Sequence, residues 1–167
     1  MTETRRDKDK TPPVPRQAAR AILLDAGGRV LLIHFAMPRG DEIYSFWATP
    51  GGGIEPGESA ITAAKRELQE ELGLGLALHG PVHTAVGIFE YDGVMVENTD
   101  TFFLGHCDVM PALQAATGND RAALLAVRWW TPEEIENTGE DVYPGDLAEV
   151  VRRLKRMFSA GSPGIGI

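Results

Sequence analysis

Apolar positions recur along this chain with two periods, and the places where the period changes mark its elements. Ala60, Ala64, Leu68 and Leu72 repeat every four residues with Ile61 beside them, which predicts a helix docked on a sheet. Ser59 is placed to cap its start, and Gly73 stands where a left-handed residue ends a helix. Leu147, Val150, Val151, Leu154, Met157 and Phe158 form a second stripe, which predicts a final helix over residues 146–158.

Shorter apolar runs read as strands. Residues 21–24 and 30–34 are joined by Asp25-Ala26-Gly27-Gly28, a hairpin signal. Phe46 and Trp47 open a short strand that leads into a run of glycines. Residues 85–91 and 94–96 flank Asp92-Gly93, a two-residue hairpin turn. In residues 101–107, Phe102, Phe103 and Leu104 make a nearly continuous apolar run, the mark of a buried central strand. Residues 124–130 give the next strand, where alternation turns one of Trp129 and Trp130 to the core and the other to a sheet surface. Thr131-Pro132-Glu133-Glu134 is a capping box with proline at the first helical position, so a short helix follows. Residues 37–45, with Pro38-Arg39-Gly40, and residues 108–120 are predicted as loops. Strands around a central helix, with another helix at the end, imply an α+β fold with a mixed sheet between helices.

The chain of 167 residues suits one domain, here residues 17–158. Residues 1–16 are charged and then proline-rich, the composition of a flexible arm, and residues 159–167 form a glycine- and proline-rich tail. No apolar run is long enough to span a bilayer and no signal-peptide pattern is present, so the expectation is a cytoplasmic protein without a membrane partner. A net charge of −8 argues against nucleic acid held in a basic groove. Cys107 is the single cysteine, in an apolar run that suits a buried, inert thiol. His34, His79, His83 and His106 show no ligand spacing.

Charge becomes informative on the first helix. Glu67, Glu70 and Glu71 stand at i, i+3 and i+4 and share one face. Three carboxylates on about one turn repel one another, a cost that a divalent cation removes. Arg66 precedes them. Before the helix, Pro50, Gly51, Gly52, Gly53, Pro56 and Gly57 form a loop whose backbone can lie close to a ligand and whose glycine carbonyl, at Gly51, is placed to add an oxygen donor.

Together these residues resemble the Nudix hydrolase box. Gly52, five residues, Glu58, seven residues, Arg66-Glu67-Leu68, one residue, Glu70-Glu71, one residue and Gly73-Leu74 match every specified position. The resemblance implies an α/β/α sandwich with a mixed central sheet. It also implies Mg²⁺- or Mn²⁺-dependent hydrolysis of a nucleoside diphosphate linked to another group X. On that resemblance Glu70 and Glu71 are the leading metal ligands, and Glu67 is a further ligand or the base that takes a proton from water. Arg66 orients a carboxylate. Glu58 pairs with it, reaches a second metal shell, or serves as a favourable charge at the helix N-terminus. Arg39, Tyr91, Glu58 and Asp120 are candidates around the substrate. Tyr91 falls seventeen residues beyond Leu74, a spacing that resembles dinucleoside polyphosphate hydrolases. A general base from a later loop would come from Asp120, Glu97 or Asp100, with Glu140 behind them. The partner implied is a small nucleotide, and homodimers are frequent among such proteins. The alternatives are a nucleotide-binding module without turnover and a hydrolase acting on RNA 5′ ends.

Overall fold

The computed structural model describes residues 11–114 and 122–159. The elements follow in the order β1 (Val14–Leu24), β2 (Val30–Arg39), β3 (Glu42–Ala48), β4 (Gly51–Gly53), α1 (Ala60–Leu72), β5 (His79–Tyr91), β6 (Val94–His106), β7 (Ala123–Trp130), α2 (Pro132–Asn137), β8 (Val142–Tyr143) and α3 (Leu147–Ser159). All eight strands join one sheet along the path β5-β6-β1-β2-β3-β8, with β4 paired to β1 and β7 paired to β2. β1 runs parallel to β6 and β3 parallel to β8, while the remaining pairs are antiparallel. The sheet is therefore mixed.

Alternation along β1 divides the interior in two. Ala19, Ala21 and Leu23 pack with Ala63, Ala64, Leu68 and Leu72 of α1. Ile22 and Leu24 pack with Leu147, Val150, Val151 and Leu154 of α3. The sheet lies between these two helices, the sandwich that the resemblance implies. The adjacent tryptophans split between the cores: Trp129 packs against the α1 side and Trp130 is fully buried on the α3 side. Among the described residues no helix is long and apolar enough to cross a membrane.

Elements fixed by local chemistry fall where the pattern puts them. Ser59 caps α1 by accepting from the Thr62 N–H at 3.3 Å, and Gly73 closes it with φ 64°. Thr131 and Glu134 form the reciprocal capping box of α2. Asp92 and Gly93 both have positive φ, as a tight hairpin turn requires.

Elements fixed by distant partners differ from the pattern. Residues 37–45 are not a loop. They are the end of a β2–β3 hairpin paired from Ile33↔Ala48 to Arg39↔Glu42. Pro38 is tolerated there because β7 pairs with β2 only as far as Ala36, leaving that edge without a strand among the described residues. The strands expected over 94–96 and 101–107 are one continuous β6 that ends at His106, and β1 begins at Val14. In both strands the polar residues that interrupt the apolar pattern face each other. Arg16 Nη1 donates to Asn98 Oδ1 at 2.6 Å, and Arg20 Nε to Asp100 Oδ1 at 2.9 Å.

Candidate active site

The site is built where α1 crosses the glycine strand β4. β4 lies beside β1 with Gly51, Gly52 and Gly53 opposite Arg20, Ala19 and Ala18. A side chain on Gly51, whose φ is 150°, would collide with the Ala19 carbonyl oxygen. A Cβ on Gly52 would stand 2.6 Å from Glu67 Oε1, so the carboxylate rests against bare backbone. Gly51 N–H donates to Glu71 Oε1 at 2.8 Å. Gly51 is thus joined to the acidic helix through its amide. Glu67 and Glu71 are 6% and 5% exposed on this inner face, whereas the Glu70 side chain is 37% exposed at the rim.

Arg66 ties the cluster together. Its Nε and Nη2 fork onto Glu58 at 2.8 and 3.0 Å. Nη1 donates to Glu67 at 2.9 Å and to Glu70 at 3.2 Å, and Nη2 also reaches the Gly53 carbonyl at 3.0 Å. A guanidinium spread over three carboxylates stays protonated under all ordinary conditions, its pKa pushed upward first by the Glu58 hydrogen bonds. In return Arg66, and then the Glu55 N–H, hold the Glu58 carboxyl below its usual range. Of the three roles open to Glu58, the geometry shows the pairing with Arg66.

That lowered value has a sign in stability. Glu58 stays ionised in the folded chain at pH values where the unfolded group, near 4.5, takes up a proton. Its contribution is complete above that pH and is lost as pH falls through the lower folded value. Glu58→Gln should therefore melt below the native protein at neutral pH, and the gap should close in acid. Melting curves that stay equally separated from pH 7 to pH 3 would refute this.

The other candidate residues are distributed across the sheet. Arg39 sits at the far hairpin with its guanidinium 4.9 Å from the Tyr44 ring centre, and among the described residues no hydrogen bond or ion pair joins it to α1. Tyr91 ends β5, where the Arg16 guanidinium lies 4.8 Å over its ring. Asp100 is paired with Arg20, whose Nη1 also donates to the Thr49 carbonyl. Glu97 is exposed and shares, by alternation, the α1 face of β6. Glu140 is exposed near β8, its N–H donating to Thr138 Oγ1. Asp120 lies outside the described residues. Cys107 is buried and donates to the Val109 carbonyl, as an inert thiol would.

Arg16 and Asn98 are the residues that the apolar pattern does not single out. A signal was present: Arg16 and Arg20 share one strand face, as do Asn98 and Asp100, and the two polar pairs are complementary.

The donor set suits a hard divalent ion in kind, being carboxylate oxygens against unobstructed backbone. Among the described residues no three His, Cys, Asp or Glu side chains are gathered closely enough to hold a metal ion by themselves. Magnesium sites of the open type are completed by substrate phosphate and water, so the arrangement fits such an ion.

The model of the NUDIX domain matches residues 14–154 of the chain. Over 61 residues the chain is 44% identical to the RNA pyrophosphohydrolase of Dinoroseobacter shibae, and that match spans 36% of either protein's length. A longer match, 32% identical over 142 residues, is to the isopentenyl-diphosphate Delta-isomerase of Nocardia farcinica and covers 81% of this chain and 72% of that protein. Among solved structures, the MutT protein of Methanosarcina mazei Go1 aligns with a TM-score of 0.66 at 18% identity, over 89% of this chain and 98% of that one, a likeness of fold.

Proposed function

The chain belongs to the Nudix family, and from that premise we propose that it hydrolyses a diphosphate bond in a small nucleotide bearing a second group X, using Mg²⁺ or Mn²⁺. The observation that carries this reading is the placement of Glu67, Glu70 and Glu71 on one turn of α1 beside a strand without side chains. The names of both relatives described above contain a diphosphate group, which supports diphosphate as the element recognised.

Glu70 and Glu71 would hold the ion. When bound, it supplies acidified water and neutralises the diphosphate oxygens as charge develops at phosphorus. Glu67 takes the proton of the attacking water. As the new O–P bond forms, the bond from phosphorus to the bridging oxygen breaks, and two phosphate-bearing products leave. Arg66 fixes the directions of Glu67 and Glu70 through charge-assisted bonds. The bare backbone at Gly52 lets Glu67 keep its position. Gly52→Ala should therefore lower kcat/KM by about 100-fold, the scale of an ångström-sized misplacement. Activity of Gly52→Ala within a factor of three of native would remove Glu67 from the chemistry.

The reading is tested by turnover of a panel with Mg²⁺ and with Mn²⁺. The panel spans nucleoside triphosphates, ADP-ribose, sugar nucleotides, dinucleoside polyphosphates, 5′-triphosphorylated RNA and isopentenyl diphosphate. Metal-dependent release of phosphate products from a small nucleotide is the expected result. Preference for RNA would move the assignment to 5′ ends, against the net charge of −8. Rearrangement of isopentenyl diphosphate without hydrolysis would overturn the hydrolase. Nucleotide binding with no turnover on any substrate would leave a binding module.

A further inference from the structure

We infer that Arg16 is a substrate grip that binds a phosphate of the nucleotide from the face of β4 opposite Glu67, an inference that rests on the hydrolase reading above.

The β1–β6 ladder carries two arginines on one face, and their partners differ. Arg20 is neutralised by Asp100 at 2.9 Å and anchored to the Thr49 carbonyl. Arg16 meets an amide instead, Asn98 Oδ1 at 2.6 Å, and among the described residues no carboxylate pairs with it. Asn98 is 2% exposed, so its amide is a fixed acceptor. A neutral acceptor orients a guanidinium without cancelling its charge. The Tyr91 ring beneath Arg16, at 4.8 Å, does the same. Two supports that hold the group and leave its charge intact are what anion recognition needs.

The location fits the substrate. Arg16 Nη2 stands 3.3 Å from where a Cβ of Gly53 would be. Across that one residue, the Gly53 carbonyl accepts from Arg66. The two guanidinium groups thus flank a single peptide, one orienting the acidic helix and the other paired, among the described residues, with no acid. On this inference a diphosphate engaged at the helix reaches across the edge of β4, so that its next phosphate or its X group meets Arg16. In a chain of net charge −8, this is a site of positive charge set beside the carboxylates rather than cancelled by them.

The test measures kcat and KM on the best substrate of the panel, and the dissociation constant of ADP by calorimetry with Mg²⁺. Native protein, Arg16→Ala, Arg16→Gln and Asn98→Asp are compared, with melting temperatures as the folding control. Both Arg16 variants should raise KM and the ADP constant at least about tenfold with kcat within twofold, the size of a lost charge-assisted bond. Asn98→Asp keeps the shape but neutralises Arg16, and should weaken ADP in the same direction; a purely structural Arg16 would bind ADP no worse beside an aspartate. KM and ADP affinity within twofold of native in folded Arg16→Gln would overturn this inference and leave the hydrolase standing. Native protein that binds ADP through Arg16 yet turns over nothing would overturn the hydrolase and leave the grip. Native protein that binds no ADP overturns the grip.

Discussion

Glu70→Gln should reduce kcat by roughly 100- to 1000-fold, equivalent to about 3 to 4 kcal/mol of barrier at 1.36 kcal/mol per decade. Stability should hardly change. The Glu70 side chain is more than a third exposed, and the Arg66 bond to it, at 3.2 Å, is the longest of that arginine's hydrogen bonds. Glutamine keeps an oxygen for Arg66 and loses only the charge that a cation requires. The melting temperature should stay within about 2 °C of native. A ligand role adds a signature: the variant should need more metal for half-maximal rate, and raising Mn²⁺ should recover part of the activity. A kcat within threefold of native would take Glu70 out of the site.

Arg66→Met should damage folding and turnover together. It removes one cation from Glu58, Glu67, Glu70 and the Gly53 carbonyl at once. Breaking a buried pair costs about 3–5 kcal/mol, and an arginine 23% exposed lies somewhat below that, at about 2–4 kcal/mol. For a chain of this length the melting temperature should fall by roughly 5–15 °C. At a temperature where the variant is folded, kcat should still fall at least about tenfold, because Glu67 and Glu70 lose the group that aims them. Arg66→Lys keeps the charge but cannot fork onto Glu58, so it should recover part of the stability and less of the activity. Turnover close to native in folded Arg66→Met would mean that the glycine strand aims the carboxylates without help.

What could be read from the residues and what could not divide along sequence separation. α1 was legible to the residue at both ends, because Ser59, Thr62 and Gly73 act on the helix they terminate. The turn at Asp92-Gly93 and the box at Thr131–Glu134 were legible for the same reason. The β2–β3 hairpin was not, since Pro38-Arg39-Gly40 carries every local mark of a loop and the strand exists through pairing with β3. The start of β1 was hidden more deeply. Val14 and Arg16 find their partners on β6 at Val96 and Asn98, 82 residues on. A charged, proline-rich stretch looks like an arm until its polar residues have something to meet. The carboxylates of the site were legible as a spacing, whereas the burial of Glu67 and Glu71 and the exposure of Glu70 depend on the glycine strand lying against them.

β4 consists of three glycines, so it shows only main chain to the neighbours on either side. It is a seam with α1 on one side and Arg16 on the other. If Arg16 grips the substrate as inferred, changes at residues 16, 91 or 98 would alter the molecule grasped without displacing the main chain against Glu67 and Glu71. A scaffold joined this way can exchange one cargo for another while its bond-breaking apparatus descends unaltered.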